Sequence, residues 1–176
     1  MFAVAVLILG GTITMVQSSG GLRPTDSAAS MRALISTALP GISCSINTFR
    51  QVASPSLSKG DLIGLAEKIT SIFKSGEAAS VVVVQGTDTI EETSFFFDLA
   101  FEGPHPVVIT GAMRAADAIS SDGPANLVAA IMVAMDPRSR GRGCLVVLNN
   151  EVHAAADVRD ADHQVGVDRH LAGQPP

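Results

Sequence analysis

Two short stretches hold most of the side chains able to do chemistry. Gly10-Gly11-Thr12 places a hydroxyl directly after two glycines. At a strand end such a threonine is a candidate nucleophile, and the neighbouring glycine N–H groups can hold an oxyanion. Gly86-Thr87-Asp88-Thr89 supplies two more hydroxyls and a carboxylate. Thr87 is suited to activating a nucleophile or a water, and Asp88 to binding an ammonium group. A purely structural reading stands beside each. The first stretch also reads as a tight strand-to-helix turn. In the second, Thr89-Ile90-Glu91-Glu92 reads as a capping box with Asp88 favoured by the helix dipole. Capping accounts for Thr89 but does not require Thr87 and Asp88. Neither glycine run has GxGxxG or GxxxxGK[ST] spacing, which argues against NAD or ATP binding.

The elements around these stretches place them in one region. Apolar runs at Val4–Leu9, Val81–Val84, Pro106–Ile109 and Leu145–Leu148 each lead into a polar turn, and Ser45–Val52 alternates as a further strand. Continuous runs of this length suit strands buried on both faces of a parallel sheet. Helical patterns lie between them. Ser58-Lys59-Gly60-Asp61 reads as a capping box ahead of Leu62, Leu65, Ala66, Ile69, Ile72 and Phe73. A second helix follows Thr89, a third starts at Asp122 or Gly123, and a weaker one covers Ala28–Ala38. Ser121-Asp122-Gly123-Pro124 reads as a helix start and nothing more. The alternation implies an α/β fold, a three-layer sandwich with a mostly parallel, Rossmann-like sheet. In such sheets ligands bind beyond the carboxyl ends of the strands. Thr12, Thr87, Asp88 and the Ala112 backbone are therefore expected to face one crevice. Val16–Ser27, rich in Ser and Gly, reads as a mobile loop or lid over it. The expected domain is 1–158, with 159–176 a polar tail.

Composition narrows the classes of function. The chain has 176 residues, of which 47% are hydrophobic and 16% charged, and a net charge of −5. No basic footprint exists for nucleic acid. The low charge content hints at buried oligomer surface, so a homo-oligomer (dimer or tetramer) is expected. Cys44 and Cys144 have no CxxC spacing. A disulfide scaffold and a structural zinc are not expected. His105, His153, His163 and His170 read as surface or loop residues, and Arg138, Arg140 and Arg142 as a solvated turn. The apolar start lacks a positive flank and is too short to span a bilayer. A cytoplasmic protein without membrane partners is expected.

Five stretches, in this order, resemble the bacterial-type L-asparaginase family, which includes the glutaminase-asparaginases. They are Gly10-Gly11-Thr12-Ile13, Gly86-Thr87-Asp88-Thr89-Ile90-Glu91-Glu92-Thr93, Pro106-Val107-Val108-Ile109-Thr110-Gly111-Ala112-Met113-Arg114, Ser121-Asp122-Gly123-Pro124-Ala125-Asn126-Leu127 and Leu148-Asn149-Asn150-Glu151-Val152-His153-Ala154. The resemblance implies a large α/β domain followed by a smaller one, and hydrolysis of L-asparagine to L-aspartate and ammonia without metal or cofactor. It implies that Thr12 forms an acyl-enzyme, that Thr87 assists attack and holds the oxyanion, and that Asp88 binds the substrate α-ammonium. The substrate-binding set is then Gly11, Ser54, Gly86 and Ala112. Ser54 would take the α-carboxylate, with Ser56 the other candidate, and the Ala112 carbonyl would accept from the substrate amide.

The chain departs from that family in four ways. It matches the first domain only, so the second domain, which normally completes a neighbouring subunit's site, is expected to be lacking. The family lysine that partners Thr87 is replaced by Asp160, and the last lysine is Lys74. That leaves Asp88, Asp160 or Lys59 as candidate bases, since a guanidinium such as Arg159 does not serve. The chain has no tyrosine, and Leu22 takes the place of the lid tyrosine. Gln85 stands where a histidine usually precedes Gly86. The leading reading is an L-asparaginase. The others are an amidase acting on L-glutamine, a catalytically impaired amino-acid-binding or regulatory homologue, and a fragment whose second domain is encoded elsewhere.

Overall fold

The structure, a computed structural model, describes residues 2–18, 21–24 and 27–158. The expected tail at 159–176, which includes Asp160, His163 and His170, lies outside the described residues.

Strands β1 (Phe2–Ile8), β4 (Cys44–Thr48), β5 (Ala78–Val84), β6 (Val107–Thr110), β7 (Cys144–Leu148) and β8 (Glu151–Ala154) form one sheet in the order β4-β1-β5-β6-β7-β8. The first five are parallel and β8 is antiparallel to β7. Helices cover both faces. Val4, Val6, Ile8, Val82 and Val84 pack under α1 (Ser27–Ala38) and α4 (Gly123–Met135). Ala5, Leu7, Leu9, Val81 and Val83 pack under α2 (Lys59–Ser75) and α3 (Ile90–Ala100). Because both faces of each central strand are buried, the strands read as unbroken apolar runs. The expected three-layer α/β/α arrangement holds, and the strand expected over Ser45–Val52 ends earlier, at Thr48.

Two elements differ from the sequence reading. Val16–Ser27 is not simply a loop. It contains β2 (Met15–Ser18) and β3 (Gly21–Pro24), an antiparallel pair with Val16 opposite Arg23. Strand β8 has no counterpart in the sequence reading. Asn149 and Asn150 have φ of 51° and 64°, so this pair makes a two-residue turn of the I′ kind that folds β8 back onto β7. His153 consequently sits on a strand, half-buried, instead of in a loop.

Helix α2 shows the strongest local signal. Ser58 Oγ accepts from the Asp61 N–H at 3.1 Å, and Asp61 Oδ2 accepts from the Ser58 N–H at 3.0 Å. The Ser58 hydroxyl also donates to Asp61 Oδ2 at 2.7 Å, and this bond, then the Ser58 N–H and the Arg50 guanidinium, hold the Asp61 carboxyl down from 3.8 to about 2. A carboxyl with a lowered folded-state value stabilises fully above its ordinary value and loses that contribution as it protonates. The thermal midpoint is therefore expected to fall between pH 3.8 and about 2. Ser58→Ala, followed by urea denaturation at neutral pH, is expected to cost about 1 kcal/mol.

Candidate active site

The five parallel strands follow the flavodoxin-like order, in which the chain first adds β4 on one side of β1 and then β5 on the other. Ligands in such sheets bind where the order reverses, beyond the carboxyl ends of the two diverging strands. Here those strands are β1 and β5, and they end in Gly10-Gly11-Thr12 and Gln85-Gly86-Thr87-Asp88.

The two loops are in contact. Leu9 N donates to Val84 O at 2.8 Å, and Val52 N donates to Leu9 O at 3.0 Å. Gly11 has φ 90° and ψ 177°, a region essentially reserved for glycine. A β-carbon there would run into the Gly86 backbone. Thr12 opens a short 3-10 turn and is partly exposed. Thr14 locks that turn by donating its N–H and its hydroxyl to Gly11 O, at 3.0 and 2.8 Å.

Ser54 joins from the loop after β4. It is 2% exposed, and a β-carbon on Gly86 would stand 2.7 Å from its Oγ. Its hydroxyl donates to Asp88 Oδ2 at 3.3 Å. Ser56, the other candidate, is exposed at the end of the same turn. The expected capping box at Thr89 does not form. Thr89 makes no side-chain cap bond, and its hydroxyl instead donates to Ser54 O at 3.4 Å. The distant carbonyl has taken the hydroxyl that local pattern assigns to the helix.

The loop after β6 closes the arrangement. Gln85 N donates to Thr110 O at 3.0 Å. A β-carbon on Gly111 would lie 2.6 Å from Gln85 O and 3.2 Å from Thr87 Cγ2. Ala112 is fully buried beneath this contact, and Thr87 is 9% exposed while Asp88 is exposed. The structure thus brings the loops bearing Thr12, Ser54, Thr87, Asp88 and Ala112 to one place.

Sequence reasoning missed two features. Asp122 does more than start α4. It makes no cap bond, and its carboxylate accepts from Met113 N and Arg114 N at 2.9 and 3.0 Å. Two adjacent amides on one carboxylate pin the loop after Ala112. Gln85 is fully buried. Its Nε2 donates to Gly86 O at 3.2 Å, and its Oε1 has no partner among the described residues. A buried unpaired acceptor costs about 1–3 kcal/mol.

Burial, then the Asp98 carboxylate, pushes the Cys144 thiol far above its ordinary value, which makes it a poor nucleophile. Among the described residues no group of three or more His, Cys, Asp or Glu could hold a metal ion, and no helix is long and apolar enough to cross a membrane. An apolar cleft of about 350 Å³ opens elsewhere, between Ile13, Met31, Leu34, Pro124 and Leu127. None of the candidate site residues lines it.

The model of the asparaginase N-terminal domain matches residues 3–165. The chain belongs to the asparaginase family. A glutaminase-asparaginase of Acinetobacter glutaminasificans is 36% identical over 161 residues, covering 88% of this chain and 48% of that protein. L-asparaginase 2 of Bacillus subtilis (strain 168) is 43% identical over 104 residues, 59% of this chain and 28% of that protein. Among solved structures, a probable cytoplasmic L-asparaginase from Campylobacter jejuni superposes with a TM-score of 0.74 at 31% identity, covering 88% of this chain and 46% of its own. This asparaginase-family chain therefore spans about half the length of the relatives it matches.

The contact between the two loops is testable by comparing two glycines. Gly11→Ala combines a strained φ with a collision and is expected to cost about 3 kcal/mol or more. Gly41→Ala has a φ of 86° but nothing within 4 Å, so it is expected to cost only about 1 kcal/mol. Equal losses in urea denaturation would show that Gly11 and Gly86 are not pressed together.

Proposed function

We propose that this chain carries the nucleophile half of an amidohydrolase site that converts L-asparagine to L-aspartate and ammonia. The observation behind this reading is that Gly11 abuts Gly86, beside Ser54 and its hydrogen bond to Asp88. An asparagine side chain set beside the Thr12 turn would have its α-ammonium within reach of Asp88 and its α-carboxylate facing Ser54. The Ala112 carbonyl is the acceptor assigned to its amide. The Thr12 hydroxyl attacks the amide carbon and passes its proton to a base. The base returns that proton to the amide nitrogen, the C–N bond breaks, ammonia leaves, and an ester of Thr12 remains. Water attacks that ester and releases aspartate with the threonine restored. Thr87 assists the attack, and the amides beside Gly11 and Gly86 hold the oxyanion, the stage at which fixed donors matter most. No metal or organic cofactor enters these steps.

L-Glutamine is a second substrate under this reading, supported by the printed name of the Acinetobacter relative. Self-association belongs to the same proposal. Ile63 on α2 and Phe95 and Leu99 on α3 are 53%, 50% and 69% exposed, apolar side chains that a second copy would cover.

A second reading, binding of the amino acid without turnover, is favoured by one observation. No lysine follows Lys74, so the base expected from the family is missing.

Ammonia release from the full chain on L-asparagine and L-glutamine separates the two. Thr12→Ala is expected to lower turnover by about a hundredfold or more, and Thr87→Val by about tenfold to a hundredfold. A wild-type rate no higher than that of Thr12→Ala, with L-aspartate still bound, would establish the binding reading instead.

A further inference from the structure

Asn126 is a buried polar residue that its helix does not need. It lies near the start of α4 and is 1% exposed. The backbone bond there is already made, Asn126 N donating to Asp122 O at 3.0 Å. Its neighbours Leu127, Ala130 and Ile131 fill the apolar face of the helix. A buried carboxamide is costly unless its groups are paired. Asn126 pairs three times. Nδ2 donates to Gly111 O at 3.0 Å and to Asp122 Oδ2 at 3.1 Å, and Oδ1 accepts from Asn149 N at 3.0 Å. One side chain thus ties the loop after β6 to the turn after β7. Asp122 braces it while holding the next two amides, Met113 N and Arg114 N.

The peptide that Asn126 holds is the one beside Thr87. The open side of Gly111 is filled by Gln85 O and by the Thr87 methyl. In a β-branched side chain the methyl and the hydroxyl hang from the same carbon. A wall against the methyl therefore sets where the hydroxyl points. The Thr87 methyl lies 3.2 Å from where a β-carbon on Gly111 would stand, which puts Gly111 on the methyl's side, and Asn126 Nδ2 fixes the Gly111 carbonyl.

We propose that Asn126, braced by Asp122, is a positioning residue that acts through Gly111 to set the direction of the Thr87 hydroxyl. The proposal rests on the reading of Thr87 as the hydroxyl that assists attack. Asn126 touches neither substrate nor reacting atoms. Its effect falls on the reacting geometry and not on ground-state binding, so it belongs in kcat and not in KM.

A double-mutant cycle on the full chain tests this, with kcat and KM read from ammonia release on L-asparagine. The variants are Asn126→Asp, Thr87→Ser and the double. Asn126→Asp keeps the shape and the acceptor for Asn149 N but loses both donations. It is expected to lower kcat by about tenfold while KM moves less than about twofold. Thr87→Ser keeps the hydroxyl but removes the methyl on which Gly111 bears. In that background the Asn126→Asp penalty is expected to shrink to about twofold or less, because the handle is gone.

Asn126→Leu, similar in size and uncharged, runs through the same cycle if the new carboxylate beside Asp122 prevents folding. An equal penalty with and without the Thr87 methyl would show that Asn126 only supports the fold, and would overturn the proposal. So would a loss confined to KM. A wild type that releases no ammonia from either amino acid overturns the amidohydrolase reading, and the Asn126 proposal with it. A working wild type with additive variants overturns the Asn126 proposal alone.

Discussion

Two loops meet at the reversal point of the sheet with no room for a side chain between them. Gly11 lies against the backbone of Gly86, and Gly86 in turn against Ser54. This contact follows from topology. Once β1 is flanked by β4 and β5, the loops leaving β1 and β5 diverge from the same edge. Only glycines let them approach this closely, which brings together the segments that bear residues 12, 54, 87 and 88. The apolar strands beneath act as a rigid floor, and the candidate site residues sit on the irregular segments above it.

Much of this was legible in the sequence, for identifiable reasons. The central strands are buried on both faces, so their runs need no periodicity to be recognised. The α2 cap is a local exchange between Ser58 and Asp61, and local pattern suffices to find it. The order of the glycine and threonine motifs, with the strands before them, was enough to expect a shared crevice. The family assignment through residues 3–165 agrees with the resemblance seen in those motifs.

What escaped was decided by contacts between distant residues. Thr89 has the local signature of a cap, yet Ser54 O, 35 residues away, takes its hydroxyl. Asp122 has the signature of a helix start, but the amides of residues 113 and 114 take its carboxylate. Strand β8 is mostly exposed, so it lacks the apolar run that marked the others. The only local clue to it was the Asn149-Asn150 pair, whose side chains tolerate the left-handed turn. The unpaired Gln85 oxygen leaves no trace in the sequence, because only the closed fold removes water from it.

The parallel ladders have a consequence for assembly. β1 joins β5 with Phe2 opposite Ala78, and Val4 joins Cys44 on the other side. Every one of these pairings spans a long stretch of intervening chain, and such long-range closure is slow to form. The loop bearing Thr12 meets the loop bearing Thr87 only after β5, the third parallel strand in chain order, has docked against β1. Until that late event Gly11 has no Gly86 backbone to lie against, so the junction of the two loops forms late and in a single step.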